Sequence, residues 1–86
     1  MTKNVELPDV SRLVAEMIGR SKTREDVARW ALEIVQGVDA EAVVVADDAW
    51  ELVLYLMEID VTTPDDGYLF DDEQVRAECM RLGALF

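Results

Sequence analysis

The stretch that decides the fold is residues 47–59, DDAWELVLYLMEI. It opens with two carboxylates, which favour the positive N-terminal end of a helix dipole. Its apolar side chains, from Trp50 to Ile59, point to nearly every side of such a helix. A helix that is apolar nearly all round lies at the centre of its domain. The sequence therefore predicts a central helix that begins at Asp47 or Asp48 and ends near Ile59.

One narrow side of this helix is polar. Its residues are three or four positions apart and so share a face: Asp47 or Asp48, Glu51, Tyr55 and Glu58. A tyrosine among carboxylates suits a protein interface, because its ring is rigid and its hydroxyl can hydrogen-bond. The alternative is that Tyr55 is a partly buried core residue with its hydroxyl at the surface.

Two helices are predicted before this one. Apolar residues with helical spacing indicate the first from about residue 8 to residue 20. The second begins after Thr23, which forms a near capping box with Asp26, and is expected to end at Gly37.

A fourth helix follows Asp71, an N-cap residue with Gln74 in the capping-box position, and ends at Gly83. Cys79 lies on its apolar face and is expected to be a packed small hydrophobe rather than a reactive thiol.

The segment around residues 42–46 is harder to assign. Its three valines favour a strand, but no partner strand is obvious unless residues 68–70 supply it, and an early start to the central helix is the alternative. We therefore predict an all-α fold, a compact bundle of about four helices with a short extended segment near 42–46 or 68–70. Residues 1–86 are expected to form a single domain, with residues 1–7 as a flexible N-terminus.

The composition excludes several classes of function. The 86 residues contain no histidine and one cysteine, which excludes histidine-dependent nucleophilic catalysis, histidine-ligated zinc and an internal disulfide. Phosphate-binding glycine motifs are absent. No signal peptide or membrane-spanning stretch is seen. We expect a non-enzymatic cytoplasmic protein without a cofactor and without a membrane partner.

A calcium loop is the nearest metal motif, within TTPDDGYLFDDE at residues 62–73. With Gly67 at loop position 6, Glu73 falls at position 12, but position 1 is Thr62, where an Asp is needed, and position 3 is Pro64, which has no side-chain oxygen. Proline and glycine instead favour a turn over these residues. No metal site is therefore expected.

The net charge of −11 is concentrated in the second half of the chain. Residues 39–73 contain twelve carboxylates and no lysine or arginine. Such a segment repels phosphates, which argues against nucleic acid, and attracts a basic protein. The alternative is that the acidity only supports solubility. Five basic residues cluster in the first half of the chain, where acidic residues balance their charge: Arg12, Arg20, Lys22, Arg24 and Arg29. They leave, as a third alternative, a regulatory domain that binds nucleic acid.

Four segments carry a resemblance to a known family: TREDVARWALEIV (23–35), ADDAWELVLYLMEID (46–60), TPDDGYLF (63–70) and DDEQVRAECMRLG (71–83). With the size and acidity of the chain, they resemble the small acidic helical immunity proteins of bacterial nuclease toxins. That resemblance implies a toxin-binding surface on an acidic helix and on the aromatic segment after the turn. The positions that match this surface are Asp47, Asp48, Glu51, Tyr55, Glu58, Tyr68 and Phe70. The two carboxylates of the turn, Asp65 and Asp66, are further candidate partner-binding residues.

The expected function is thus that of an immunity or inhibitor protein that blocks a basic bacterial toxin or nuclease. Carboxylates would steer the encounter, and Tyr55, Tyr68 and Phe70 would anchor it. Whether Tyr68 and Phe70 face the core or the partner stays open at this point. The alternatives are an assembly module that forms a homodimer or larger homo-oligomer, and a phage-type inhibitor that mimics DNA.

Overall fold

The computed structural model describes residues 3–62, 67 and 70–84. These residues form four helices and two short strands, which confirms the mainly helical prediction. In chain order the elements are β1 (Lys3–Val5), α1 (Leu7–Ile18), α2 (Arg24–Asp39), β2 (Val43–Val45), α3 (Asp47–Leu56) and α4 (Asp72–Arg81).

Local capping starts three of the helices. The Thr23 hydroxyl accepts a hydrogen bond from the Asp26 N–H at 3.1 Å, and the Asp26 carboxylate accepts one from the Thr23 N–H at 3.3 Å. Asp71 and Gln74 make the same reciprocal pair at 2.7 and 2.9 Å. Both predicted capping boxes are therefore confirmed, and Glu6 forms another with Asp9 at the start of α1.

The predicted end of the second helix is wrong. Gly37 lies inside α2, which continues to Asp39, and Glu41 takes the left-handed conformation after it, with φ of 60°. A Cβ on Gly37 would lie 2.5 Å from the Cγ2 of Val43. Glycine is thus required here because β2 packs closely against the helix. The predicted end at Gly83 is confirmed, since this residue follows α4 with φ of 103°.

The two strands form a parallel sheet in which Lys3, Asn4 and Val5 pair with Val43, Val44 and Val45. The extended segment predicted near 42–46 is confirmed, but its partner differs from the one considered. Residues 3–5, predicted within a flexible N-terminus, supply the pairing strand, and Val5 is buried. Two helices connect β1 to β2, as a parallel crossover requires.

The core surrounds α3, as its composition predicts. Its inward side chains have no exposed surface and pack between α1 and α2: Ala49, Leu52, Val53 and Leu56. The helix ends at Leu56, earlier than predicted, and the following turn carries Ile59 back into the core. Cys79 is also fully buried, which confirms its expected packing role.

Candidate protein-binding face

Four exposed carboxylates follow one side of α3 and of the turn after it. We call this set the acidic face: Asp47, Asp48, Glu51 and Glu58. The face exists because the opposite side of α3 is buried, so the polar positions of the helical repeat must point outward. Between residues 39 and 62 the chain has seven carboxylates and no basic side chain. The structure therefore exposes four of the six carboxylates that the sequence proposes for binding.

Leu54 is an apolar residue within this face that the sequence analysis did not single out. Its side chain is 38% exposed, whereas its helical neighbours Leu52 and Val53 are fully buried. Leu54 lies three residues after Glu51 and four before Glu58, and this helical spacing is the sequence feature that indicates its place in the acidic face. An exposed leucine flanked by carboxylates adds an apolar contact to a charged surface.

Tyr55 and Phe70 contact each other. Their ring centroids are 5.8 Å apart with the planes tilted by 51°, and both side chains are half-buried against the core. Burial is the main cause that raises the pKa of Tyr55, and the neighbouring Cys79 and Glu78 act in the same direction. The structure thus turns both rings partly inward, so at most their outer edges can contact a partner.

The charge of the acidic face acts on one basic residue of α4. Arg81 forms a salt bridge with Glu78, and this hydrogen bond raises the pKa of Arg81 and lowers that of Glu78. Glu51 also raises the pKa of Arg81, as a smaller cause than Glu78. Among the described residues, the salt bridge of Arg81 is thus within its own helix.

Three predicted binding residues, Asp65, Asp66 and Tyr68, lie outside the described residues, and so does half of the segment compared with a calcium loop. Within the described part of the chain, no group of three or more cysteine or acidic side chains is arranged to hold a metal ion.

Arg24 is the residue whose role the sequence analysis missed. By sequence, Arg24 belongs to the cluster of basic residues in the first half of the chain, yet its side chain is only 8% exposed. The guanidinium donates to the carbonyl of Ile59 at 3.2 Å, to the carbonyl of Phe70 at 2.5 Å and to the Asp72 carboxylate at 2.6 Å. This bond to Arg24 is the main cause that lowers the pKa of Asp72. The sequence feature that indicates this role is the position of Arg24 one helical turn before Val27, which places it on the buried face of α2.

Two of the remaining basic residues of that region, Arg20 and Lys22, lie in a cavity whose lining is of mixed charge. Arg20 and Lys22 line a cavity of about 640 Å³ together with Arg24 and Arg76, but Glu25, Asp72 and Glu73 line it as well. Lys22 also lies 4.0 Å from Glu16. The mixture of charges gives this cavity no clear preference for phosphate.

Comparison with protein-family models, curated proteins and solved structures finds no match to this chain. Among the described residues, no helix has both the length and the apolar character needed to cross a membrane.

Proposed function

We propose that the protein is a non-enzymatic binding protein whose acidic face blocks a basic partner, a bacterial toxin or nuclease of the cytoplasm. The observation that carries the proposal is the exposure of all four carboxylates of the acidic face, around the exposed apolar side chain of Leu54. Like charges at helical spacing weaken a helix. A surface that costs stability in this way is expected to gain something by binding.

The mechanism follows from the charge and shape of the face. Carboxylates raise the rate of encounter with a basic surface, from about 10⁵–10⁶ to as much as 10⁸–10⁹ M⁻¹s⁻¹ at low salt. Leu54 and the outer edges of the Tyr55–Phe70 pair then provide apolar contact near the centre, where binding energy is concentrated. Inhibition results because the bound protein occupies the surface with which the partner grips phosphates.

The test begins with recovery of a basic partner from the native host and continues with the purified pair. The binding variant is Glu51→Gln with Glu58→Gln. Its matched control is Glu33→Gln with Glu73→Gln, which removes the same charge from exposed residues of α2 and α4. Association rates are measured by stopped-flow from low to high salt, together with the activity of the partner.

We expect the binding variant to associate several-fold more slowly than the control at low salt and to inhibit the partner less. At about 1 M salt the difference should disappear, because the Debye length falls to about 3 Å. Equal association rates for the two variants at every salt concentration would show that the acidic face is not the interface.

A further inference from the structure

The outer edge of β2 has backbone groups available for a further strand. Lys3 N–H donates to the Ala42 carbonyl at 3.0 Å, and Ala46 N–H donates to the Val5 carbonyl at 2.9 Å. In this parallel register Val44 is the β2 residue whose N–H and C=O both face β1. The N–H and C=O groups of Val43 and Val45 therefore point away from β1, and they make no hydrogen bond with another described residue.

This edge is short, at three residues, but it lacks two other features that protect strands from further pairing, a charged side chain and a proline. Residues 43–45 contain no lysine and no proline, and valine is among the residues that favour strands most. The side chain of Val44 is 55% exposed on the outer side of the sheet. A two-stranded sheet is also the smallest that exists, and an added strand stabilises it.

The carboxylates before and after β2 determine which kind of chain can pair with its outer edge. Asp39 and Glu41 precede β2, Asp47 and Asp48 follow it, and all four are exposed. Two copies of the protein that paired edge to edge would bring these carboxylates together, and like charges opposite one another are destabilising. A basic segment would instead find a carboxylate pair at each end of the strand.

The outer edge of β1 is a poorer candidate. Only Asn4 presents its backbone groups away from β2 there, because Lys3 and Val5 both face the sheet. The exposed Lys3 also lies on this strand and would repel a basic segment. Charge therefore favours the β2 edge over the β1 edge.

We propose that the β2 edge binds an extended, basic segment of the partner as a third strand of the sheet. The inference rests on the proposed function and specifies how such a partner is held. The partner's backbone hydrogen-bonds to Val43 and Val45, and an apolar side chain covers Val44. Its lysine or arginine residues reach the carboxylates at the two ends of the strand. Strand addition of this kind combines affinity from the main chain with selectivity from the flanking side chains.

The probe is a blocked peptide of sequence KKVTVKK, added to the full chain at low salt. Binding is followed by NMR, and amide hydrogen exchange is measured at residues 43–45. Exchange of the Val43 and Val45 amides is expected to slow by at least about tenfold at saturation, since hydrogen-bonded amides exchange only through opening. The Val44 amide, already bonded to β1, is an internal control whose exchange should change little.

Two control peptides keep the protein unaltered. One carries N-methyl groups on its central Val-Thr-Val amides, which removes the donors but keeps the charge, and the other replaces lysine by glutamate. Neither is expected to protect the two amides. Protection by the N-methylated peptide, binding of KKVTVKK without protection of Val43 and Val45, or no binding at millimolar peptide would each overturn the inference. A partner that binds the acidic face with salt-dependent rates and leaves both amides unprotected would refute strand addition alone, and the proposed function would stand.

Discussion

Replacing Arg24 by methionine tests how the fold is held together. The guanidinium of Arg24 joins the start of α2 to the turn after α3 and to the start of α4, through Ile59, Phe70 and Asp72. Methionine keeps an unbranched chain in the same buried space but has no hydrogen-bond donor. Arg24→Met therefore removes the three hydrogen bonds that the guanidinium makes to described residues, and leaves most of the packing.

The three hydrogen bonds contribute unequally. The Ile59 carbonyl is buried, and a buried group that loses its partner costs about 1–3 kcal/mol. The Phe70 carbonyl is partly buried and adds up to about 1 kcal/mol. The Asp72 side chain is 84% exposed, so its carboxylate returns to water and its share is about 0–1 kcal/mol. We expect a loss of about 1–5 kcal/mol, out of about 4–13 kcal/mol for a domain of this length.

The assay is urea unfolding followed by far-UV circular dichroism and by the fluorescence of Trp30 and Trp50. Asp72→Asn is the control that removes the charged partner and keeps both carbonyl bonds, and it should cost about 1 kcal/mol or less. The reasoning fails if Arg24→Met lies within about 0.5 kcal/mol of the natural protein. It also fails if the two variants are equally destabilised, because Asp72 and not the carbonyls would then dominate.

Three further predictions concern single residues. Gly37→Ala should lower the free energy of unfolding by about 1–2 kcal/mol despite the helix preference of alanine, because its Cβ would collide with Val43. The control Gly19→Ala, whose Cβ would come no closer than 3.3 Å to the atoms around it, should change the free energy of unfolding by less than about 0.5 kcal/mol. Equal urea midpoints for the two variants would contradict the prediction. Burial raises the pKa of Cys79 to about 12, so a thiol reagent at neutral pH should label it only as the protein opens, and rapid labelling of the folded state would contradict this. The guanidinium of Arg24 lowers the pKa of Asp72 in the folded protein. The stability that Asp72→Asn removes should therefore be fully present above the unfolded pKa of about 3.9, and it should vanish as pH falls through the folded-state pKa. A difference in urea midpoint between the variant and the natural protein that persists in strong acid would contradict this.

Helix starts were predictable because capping is local. A Thr23–Asp26 or Asp71–Gln74 pair satisfies backbone donors within one turn, so the sequence spacing alone determines the geometry. The end of α2 was not predictable in this way. Gly37 has the preference of a helix terminator, but the contact that determines its role is with Val43 on another element.

The partner of β2 was missed for the same reason. Residues 3–5 and 43–45 are forty positions apart, and a three-residue strand has too little pattern to reveal its partner. Only the packing of the two intervening helices brings them together. The sequence therefore predicts a flexible N-terminal segment only from its position at the chain end, where flexibility is common.

The acidic face was partly predictable, because helical periodicity separates Glu51 from the buried Leu52 and Val53. Periodicity does not say how far the core extends around a helix. Leu54 and Tyr55 lie at that boundary, and Phe70 decides between them, since its ring contacts Tyr55 and Leu54 stays exposed. The apolar centre of the proposed interface therefore shifts from tyrosine to leucine once the structure is known.

The charges of the protein fall into two groups with different consequences. The described cation with the least exposure, Arg24, has its carboxylate and carbonyl partners within the fold, and its loss is expected to weaken the fold. The acidic face, by contrast, has no salt bridge to any described residue through Asp47, Asp48, Glu51 or Glu58. Its self-repulsion opposes folding, so neutralising Glu51 and Glu58 should leave stability unchanged or raise it slightly. If the variant shows this, the charge of the acidic face is not required for folding, and selection for binding can act on it independently of folding.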